Sequence, residues 1–540
     1  MKRMKHGKEL SALLVGAVLT GLTLVFPAIG FLEWITMVPL IWGVYRLADD
    51  ESLRLRRAYG FGFLAVFVYY LVIYHWFIRL YPLDFAGLGN GASAVVVVVG
   101  WLGLSLLQAL PGGLIFLAMR AISKTPILRR LPLLRPFVFA ALWVIFEWSS
   151  TLTWTGVPWG RLALGQIDLL PMLQSASLLG SYFVSFLLLC VNGLIAYALL
   201  YRTREILCGV LAAGLLLSNL SYGLIARALP VKVDSTVKVA VIQGNINSHD
   251  KWSGNSLSKT RAYYADLTRS AASEGAELVL WPETVLPFSL YHRSEIKDFL
   301  SSLARECNVT LVVGSFYRES AEREYNVLYL VDPDGRIRDE RYAKRHLVPF
   351  GEYVPMEKLI EAVIPPLASL SDLGGSLTAG EGSALFETAH GTLGSLICFD
   401  SIYEQLMLES TRDGAELFLV SSNDSWFYDS AAVYQHEAQS RLRAIESGRY
   451  FVRAANTGIS SIISPDGAHL AWIDPLEKGY AVAEVGVTDR ITPYVAVGNL
   501  LVYLSIAFLA GVAGYGIYLK HSKKEDFASS LAENGKDNCD

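Results

Sequence analysis

Hydrophobic positions fall into two rhythms along this chain. Up to about residue 230 they form long apolar runs, at about 10–29, 31–45, 60–80, 94–119, 136–156, 175–200 and 206–228, and one more comes at 495–519. Each is near the ~20 residues that an apolar helix needs to cross a bilayer. The first run follows Lys2, Arg3, Lys5 and Lys8, as a signal peptide would. It is too long for that, and no small-residue cleavage site follows, so it reads as a retained span.

Between about 235 and 490 the pattern shortens. Val237 to Gln243 alternates as a strand, and 256–273 has helical periodicity. Glu277 to Trp281 is a second strand, then a helix at 294–306 leads to a third, Thr310 to Ser315. Tyr325 to Val331 and Arg336 to Tyr342 flank the turn Asp-Pro-Asp-Gly at 332–335, a hairpin signal. A short buried strand, Leu393 to Ile397, precedes a helix from Ser401 to about Arg412. The strand Glu416 to Ser421, a helix at 431–447 and paired strands at 450–455 and 458–463 follow. Helices and strands alternate with hairpins mixed in, which predicts a layered α/β sandwich with a mixed sheet.

Composition sharpens this division. The hydrophobic content of 53% and mean hydropathy of +0.37 are too high for a soluble protein. The excess lies in the apolar runs, while the middle has ordinary soluble composition. The expected organisation is a membrane domain at 1–230 with seven helices and a globular domain at 235–490. An eighth helix at 495–519 and a cytoplasmic tail at 520–540 complete it. Basic residues orient it. With the N-terminus inside, the inner loops carry Arg46, Arg54, Arg56 and Arg57, then Arg120 to Arg135, then Arg202 and Arg204, whereas the loop at 151–172 has only Arg161. The globular domain then lies outside the cytoplasm. The net charge of −4 and the lack of basic stretches interleaved with aromatics argue against a nucleic-acid partner.

Ionisable groups within apolar runs are often functional. Glu147 lies inside the fifth run and Arg79 ends the third, where each either serves the membrane domain's function or snorkels and pairs. The loop Thr153-Trp-Thr-Gly-Val-Pro-Trp159-Gly160 reads as an interfacial aromatic belt, with a lipid entrance as the alternative.

The chemistry centres on Thr392 to Gln405, TLGSLICFDSIYEQ. Cys398 ends the strand, and Ser401 with Glu404 has the spacing of a helical capping box. A helix N-terminus beside the sulfur would favour the thiolate. Glu283 follows a strand in LVLWPET and Lys344 follows the hairpin in RYAKRHLVPFGEYVP. Groups at strand ends of a layered fold can share one pocket. A carboxylate there can take the thiol proton and an ammonium can stabilise an oxyanion. Cys307 and Cys398 could pair as a disulfide, but no framework of cysteines surrounds them. The nine histidines include no zinc-binding spacing, so neither metal nor cofactor is expected.

WPET, KRHLVPFGEYVP and LICFD resemble the three signature blocks of the nitrilase superfamily, whose Glu-Lys-Cys triad sits in an αββα sandwich. With Gln243–Ile246, Ser422–Phe427 and the eight runs, the whole chain resembles the bacterial apolipoprotein N-acyltransferases. The resemblance implies a polytopic helical membrane domain of eight spans carrying an extracytoplasmic αββα domain in the bacterial inner membrane. It assigns Glu283 as general base, Lys344 as oxyanion-stabilising lysine and Cys398 as nucleophile. Glu352 matches a second glutamate that positions the lysine. Trp252 matches a substrate-binding loop tryptophan, and Trp426 and Phe427 match aromatics near the pocket, though core packing would also explain all three. The family usually has Tyr-Glu after the nucleophile, where this chain has Phe399-Asp400, which puts hydrogen bonds around the triad in question. The implied reaction moves an sn-1 acyl chain from a phospholipid, phosphatidylethanolamine, through a Cys398 thioester to the α-amine of diacylglyceryl-cysteine on an apolipoprotein. The apolar segment Val354 to Gly375, with its prolines and glycine pair, reads as a lid touching the bilayer, and a rigid surface loop is the alternative.

Three rivals stand beside this. A membrane-bound amidase would release the acyl group to water with the same triad. A transporter would need charged groups along a membrane path, where few occur. An inactive interaction module would not need the three blocks.

Overall fold

The computed structural model describes residues 6–83, 88–246, 256–290, 293–358, 362 and 376–534. Among the described residues, eight helices are long and apolar enough to cross a membrane: Gly7–Val25, Pro27–Asp49, Leu55–Leu80, Asn90–Ser123, Pro132–Ser149, Ser181–Tyr201, Glu205–Ala228 and Leu500–Leu519. Each overlaps one apolar run of the sequence. Two run boundaries shift for local reasons. The fifth helix stops at Ser149, where the chain turns at Ser150 and Thr151. The sixth starts at Ser181 because Gly180, at φ 79°, breaks the chain away from the short helices before it.

The intervening region is a two-sheet sandwich. Its strands are β1 (Ser235–Gln243), β2 (Leu278–Leu280), β3 (Leu286–Ser289), β4 (Thr310–Arg318), β5 (Glu324–Val331), β6 (Ile337–Ala343), β7 (Phe386–Thr388), β8 (Gly391–Ile397), β9 (Leu417–Ser422), β10 (Phe451–Ala455), β11 (Ser460–Ile463), β12 (His469–Ile473) and β13 (Gly479–Val487). One sheet has the order β13-β1-β2-β4-β5-β6, with β3 also paired to β4, and the other β12-β11-β10-β9-β8-β7. Both are mixed. β1 runs parallel to β2 and antiparallel to β13, while β9 runs parallel to both β8 and β10.

The alternation in β1 explains the layers. Val237, Val239 and Val241 point to the core between the sheets, with Leu280, Val312, Ile397, Leu419 and Val452. Ala240 and Ile242 point the other way, under the helices Ser256–Ser273 and Ser294–Cys307. The second sheet is covered by Glu404–Arg412 and Ala431–Ser447. Their apolar residues, among them Leu406, Leu442 and Ile445, join one continuous core with the membrane helices. The helix 431–447 is therefore enclosed on both sides, and Gln435, His436, Gln439, Arg443 and Glu446 on it are all buried.

Candidate active site

Glu283 lies just beyond β2. Its segment passes so close to β4 that a Cβ on Gly314 would stand 2.5 Å from the Pro282 carbonyl and 2.8 Å from the Glu283 Cα. Only glycine admits that approach. Asn326 on β5 then ties two residues together: its carbonyl accepts from the Lys344 N–H at 2.8 Å, and its Nδ2 donates to Glu283 Oε1 at 2.7 Å. Lys344 leaves β6 with its ammonium buried, 3.0 Å from Glu283 Oε1 and 2.9 Å from Glu352 Oε1. The other oxygen of Glu352 accepts from Val348 N–H at 2.8 Å, which fixes the carboxylate against its own loop. Burial opposes the Lys344 charge, but Glu283 and Glu352 outweigh it and raise its pKa, so this is a stable ammonium between two carboxylates.

Cys398 follows β8 in a turn, at φ 51°, which a non-glycine residue adopts only where its surroundings impose it. The expected capping box is not formed. Cys398–Ile402 is a 3-10 turn, and the α-helix begins only at Glu404. Ser401 Oγ donates back to the Cys398 carbonyl at 2.7 Å, and Glu404 is buried against Arg161 of the membrane domain. Nor is the thiol lowered. Burial pushes it up, Glu283 adds to the rise, and Lys344 only partly offsets them. The resting sulfur is a thiol beside a carboxylate and an ammonium, so its use as a nucleophile would require a base.

Asp400 answers the question its position raised. Its Oδ1 accepts from the His346 N–H at 2.7 Å and the Arg345 N–H at 3.2 Å; its Oδ2 accepts from Tyr342 Oη at 2.9 Å and Ile397 N–H at 3.1 Å. It therefore ties the turn at Cys398 to the segment that carries Lys344. Phe399 is half-buried, with its ring edge-on to Tyr403 at 5.5 Å.

Of the aromatic candidates, Trp252 lies outside the described residues, as does nearly all of Val354 to Gly375 beyond Lys358. Trp426 is half-buried in the turn Ser425–Phe427. Phe427 packs edge-on to Trp76 of the membrane domain at 5.0 Å. The aromatic-belt reading fails for Trp159, which is buried with its Nε1 donating to Gln435 at 2.6 Å; Trp154 is exposed. Glu147 does not snorkel: it is buried and accepts from Trp143 Nε1 and the Leu162 N–H. Arg79 is exposed. Cys307 and Cys398 are both free thiols.

Sequence reasoning missed a buried network behind Cys398. Ser422, Asp424, His436 and Arg453 come from β9, its following turn, the helix 431–447 and β10, and no local spacing links them. Cys398, Asp424 and His436 have ligand atoms within 4.8 Å of one another, a set with metal-binding chemistry. Arg453 Nη2, 2.9 Å from Asp424 Oδ2 and 3.2 Å from His436 Nδ1, already supplies the positive charge there.

Comparison with known proteins accounts for both halves of the chain. Residues 238–491 match the carbon-nitrogen hydrolase family model, and residues 16–194 match that of the apolipoprotein N-acyltransferase N-terminal domain. The chain is 33% identical over 515 residues to the apolipoprotein N-acyltransferase of Geobacter metallireducens, covering 92% of this chain and 94% of that protein. It is 32% identical to that of Gloeobacter violaceus, over 90% of each. Among solved structures it is similar to an amidase from Nesterenkonia sp., with 19% identity, a TM-score of 0.38, and coverage of 51% of this chain and 98% of the amidase. With a relative 33% identical over 92% of this chain and 94% of its own length, and the N-terminal family model matched as well, the chain belongs to the apolipoprotein N-acyltransferase family.

Proposed function

We propose that this protein transfers an acyl chain from a phospholipid to the N-terminal amine of diacylglyceryl-cysteine on an apolipoprotein, through a thioester on Cys398. The observation that carries the reading is the buried Lys344 ammonium, held between Glu283 and Glu352 and acting with Glu283 on the Cys398 thiol.

Glu283 takes the proton from the Cys398 sulfur, which the raised thiol makes necessary. The sulfur attacks the sn-1 ester carbonyl of the donor, phosphatidylethanolamine, and the carbonyl oxygen becomes an oxyanion stabilised by Lys344. The carbon–oxygen bond to glycerol breaks, Glu283 returns the proton to the glycerol oxygen, and a lysophospholipid leaves. The acceptor amine then attacks the thioester, giving its proton to Glu283. The carbon–sulfur bond breaks, and the sulfur recovers that proton. Glu352 holds Lys344 in place throughout. Trp252, Trp426 and Phe427 stand as substrate contacts in this reading, and Val354 to Gly375 as the lid. Both substrates are lipid-anchored, which suits a catalytic domain whose core is continuous with membrane helices. Basic inner loops orient that domain to the periplasmic face of the bacterial inner membrane.

The test is to incubate the purified full chain with acyl-labelled phosphatidylethanolamine and map adducts by mass spectrometry. A hydroxylamine-labile acyl group on Cys398 should persist until a diacylglyceryl peptide is added, then move to its amine. Loss to water at one rate, with or without peptide, would instead identify a hydrolase.

A further inference from the structure

We propose that His436 is the positioning residue of the nucleophile: its Nε2–H fixes the Cys398 carbonyl, while Asp424 and the membrane domain's Trp159 fix the ring. This rests on the reading of Cys398 as the nucleophile. His436 is buried on the helix Ala431–Ser447, with Nε2 3.1 Å from the Cys398 carbonyl oxygen and 3.2 Å from Ser401 Oγ. A carbonyl can only accept, and the Ser401 hydroxyl already donates to that same carbonyl at 2.7 Å, so the hydrogen between ring and turn belongs to Nε2. On its other side Nδ1 meets Asp424 Oδ1 at 2.8 Å, again an acceptor. Asp424, Arg453 and Cys398 are the charged or titratable groups facing it, and Asp424 is itself anchored by Ser422 Oγ and Arg453.

The carbonyl matters because Cys398 is held at φ 51°. Two donors on one oxygen fix the peptide plane after Cys398, and with it the direction in which Cα–Cβ aims the sulfur at Glu283 and Lys344. Such a backbone state persists only where neighbours over-determine it. Without the ring, one of those constraints is gone.

The same residue faces the membrane domain. Trp159 lies against the imidazole, ring centroids 5.6 Å apart and tilted by 32°. The glutamines either side of His436 stitch its helix to that domain. Gln435 accepts from Trp159 Nε1 at 2.6 Å and donates to the Leu24 carbonyl at 3.2 Å, and Gln439 donates to the Pro158 carbonyl at 3.3 Å. The nucleophile's backbone is thus set by a residue that is itself seated by docking onto the membrane domain. The loop around Trp159 serves as a brace for the catalytic turn.

The experiment is single-turnover acylation of Cys398 in the full-length enzyme in detergent, with labelled phosphatidylethanolamine, alongside steady-state kcat and KM. His436→Leu fills the volume without a donor, and His436→Gln carries an amide N–H to about the place of Nε2. The leucine variant should acylate about a hundredfold more slowly at saturating donor with KM little changed, as expected for a reacting atom displaced by a fraction of its reach. The glutamine variant should recover at least about tenfold of that loss, which a purely space-filling role would not produce. Trp159→Ala should fall in kcat in the same way, with Trp159→Phe restoring it. Equal rates in His436→Gln and His436→Leu, or a loss confined to KM, would overturn the proposal. If His436→Leu does not yield monodisperse protein, His436→Gln alone decides: a loss of more than about a hundredfold against wild type overturns it. Wild-type enzyme that forms no adduct on Cys398 removes the nucleophile and this proposal together, whereas an adduct with unaffected His436 variants removes only the positioning role.

Discussion

The carboxylate of Asp400 accepts a 2.7 Å hydrogen bond from the backbone N–H of His346, two residues beyond Lys344. Through that bond the turn carrying Cys398 holds the segment carrying Lys344. Burial raises Asp400 to about 6, even though His346, Lys344 and Ile397 pull it down. Protonation would turn one accepting oxygen into a donor facing the donors Tyr342 and Ile397, or His346 and Arg345. Acylation should therefore lose rate on the acid side with a midpoint about pH 6. Asp400→Asn, which presents donors to donors at every pH, should lower the rate throughout and remove that acid limb. A pH–rate profile of single-turnover acylation checks both, and an unchanged limb in Asp400→Asn would exclude Asp400 as its source.

Stability should move the opposite way. The folded state keeps the Asp400 proton at pH values where the unfolded chain has released it, so this group makes the fold less stable as pH rises from about 4 to about 6. Denaturation midpoints of wild type and Asp400→Asn in detergent should diverge across that window, the wild type losing more stability as pH rises. Parallel curves would show that Asp400 titrates normally in the folded protein.

Glu352 acts through Lys344, and its two oxygens are both committed, at 2.9 Å to the ammonium and 2.8 Å to the Val348 N–H. Glu352→Gln keeps the shape but removes the charge that holds Lys344 opposite Glu283. Thioester formation should slow by about a hundredfold to a thousandfold, the scale seen when one oxyanion-stabilising contact is lost. Cys398→Ala should form no adduct at all while inserting and purifying normally. Mass-spectrometric quantitation of the Cys398 adduct over time reads both variants, and unimpaired acylation in Glu352→Gln would remove that residue from the site.

Much of this fold is written locally. The alternation of Val237 to Gln243 marks a strand, and the apolar runs mark the eight helices, because burial of one face or of a whole run leaves a pattern in the sequence. Glu283, Lys344 and Cys398 are visible for the same reason, each standing just past a recognisable strand. What escaped is what distant segments decide. Ser401 and Glu404 have capping-box spacing, yet Glu404 turns inward because Arg161, from a loop some 240 positions earlier, offers it a buried partner. Trp159 looks like an interfacial aromatic, yet the helix 431–447 covers it. That helix carries polar side chains all round, and it is enclosed because partners come from both sides: Gln435 and Gln439 bond to the membrane domain, His436 and Glu437 to the sandwich. His436, Asp424 and Arg453 come from separate elements and meet only in the folded chain.

The Arg161–Glu404 pair supports a final prediction. Both side chains are buried, and they join the membrane domain's loop to the helix that follows Cys398. Tyr182 donates to the other Glu404 oxygen at 2.6 Å, and Arg443 stands 3.5 Å away, between Glu404 and Glu446. Burial alone would raise the Glu404 pKa, but Arg161 and Arg443 outweigh it and hold the carboxyl below its usual value. The stabilisation this gives is present above about pH 4.5 and fades as pH falls further. Arg161→Met leaves Glu404 with less compensation in a site closed to water and should destabilise the fold by about 3–5 kcal/mol. Replacing both partners, Arg161→Met with Glu404→Met, removes the buried charge with the pair and should recover most of the loss, because desolvating two ions offsets much of their attraction. Thermal unfolding of wild type, Arg161→Met and the double variant in one detergent at neutral pH reads both losses. A single variant as stable as wild type would show that the loop and the helix are not joined through this pair. A double variant no better than the single one would show that the charges stabilise by more than their mutual neutralisation.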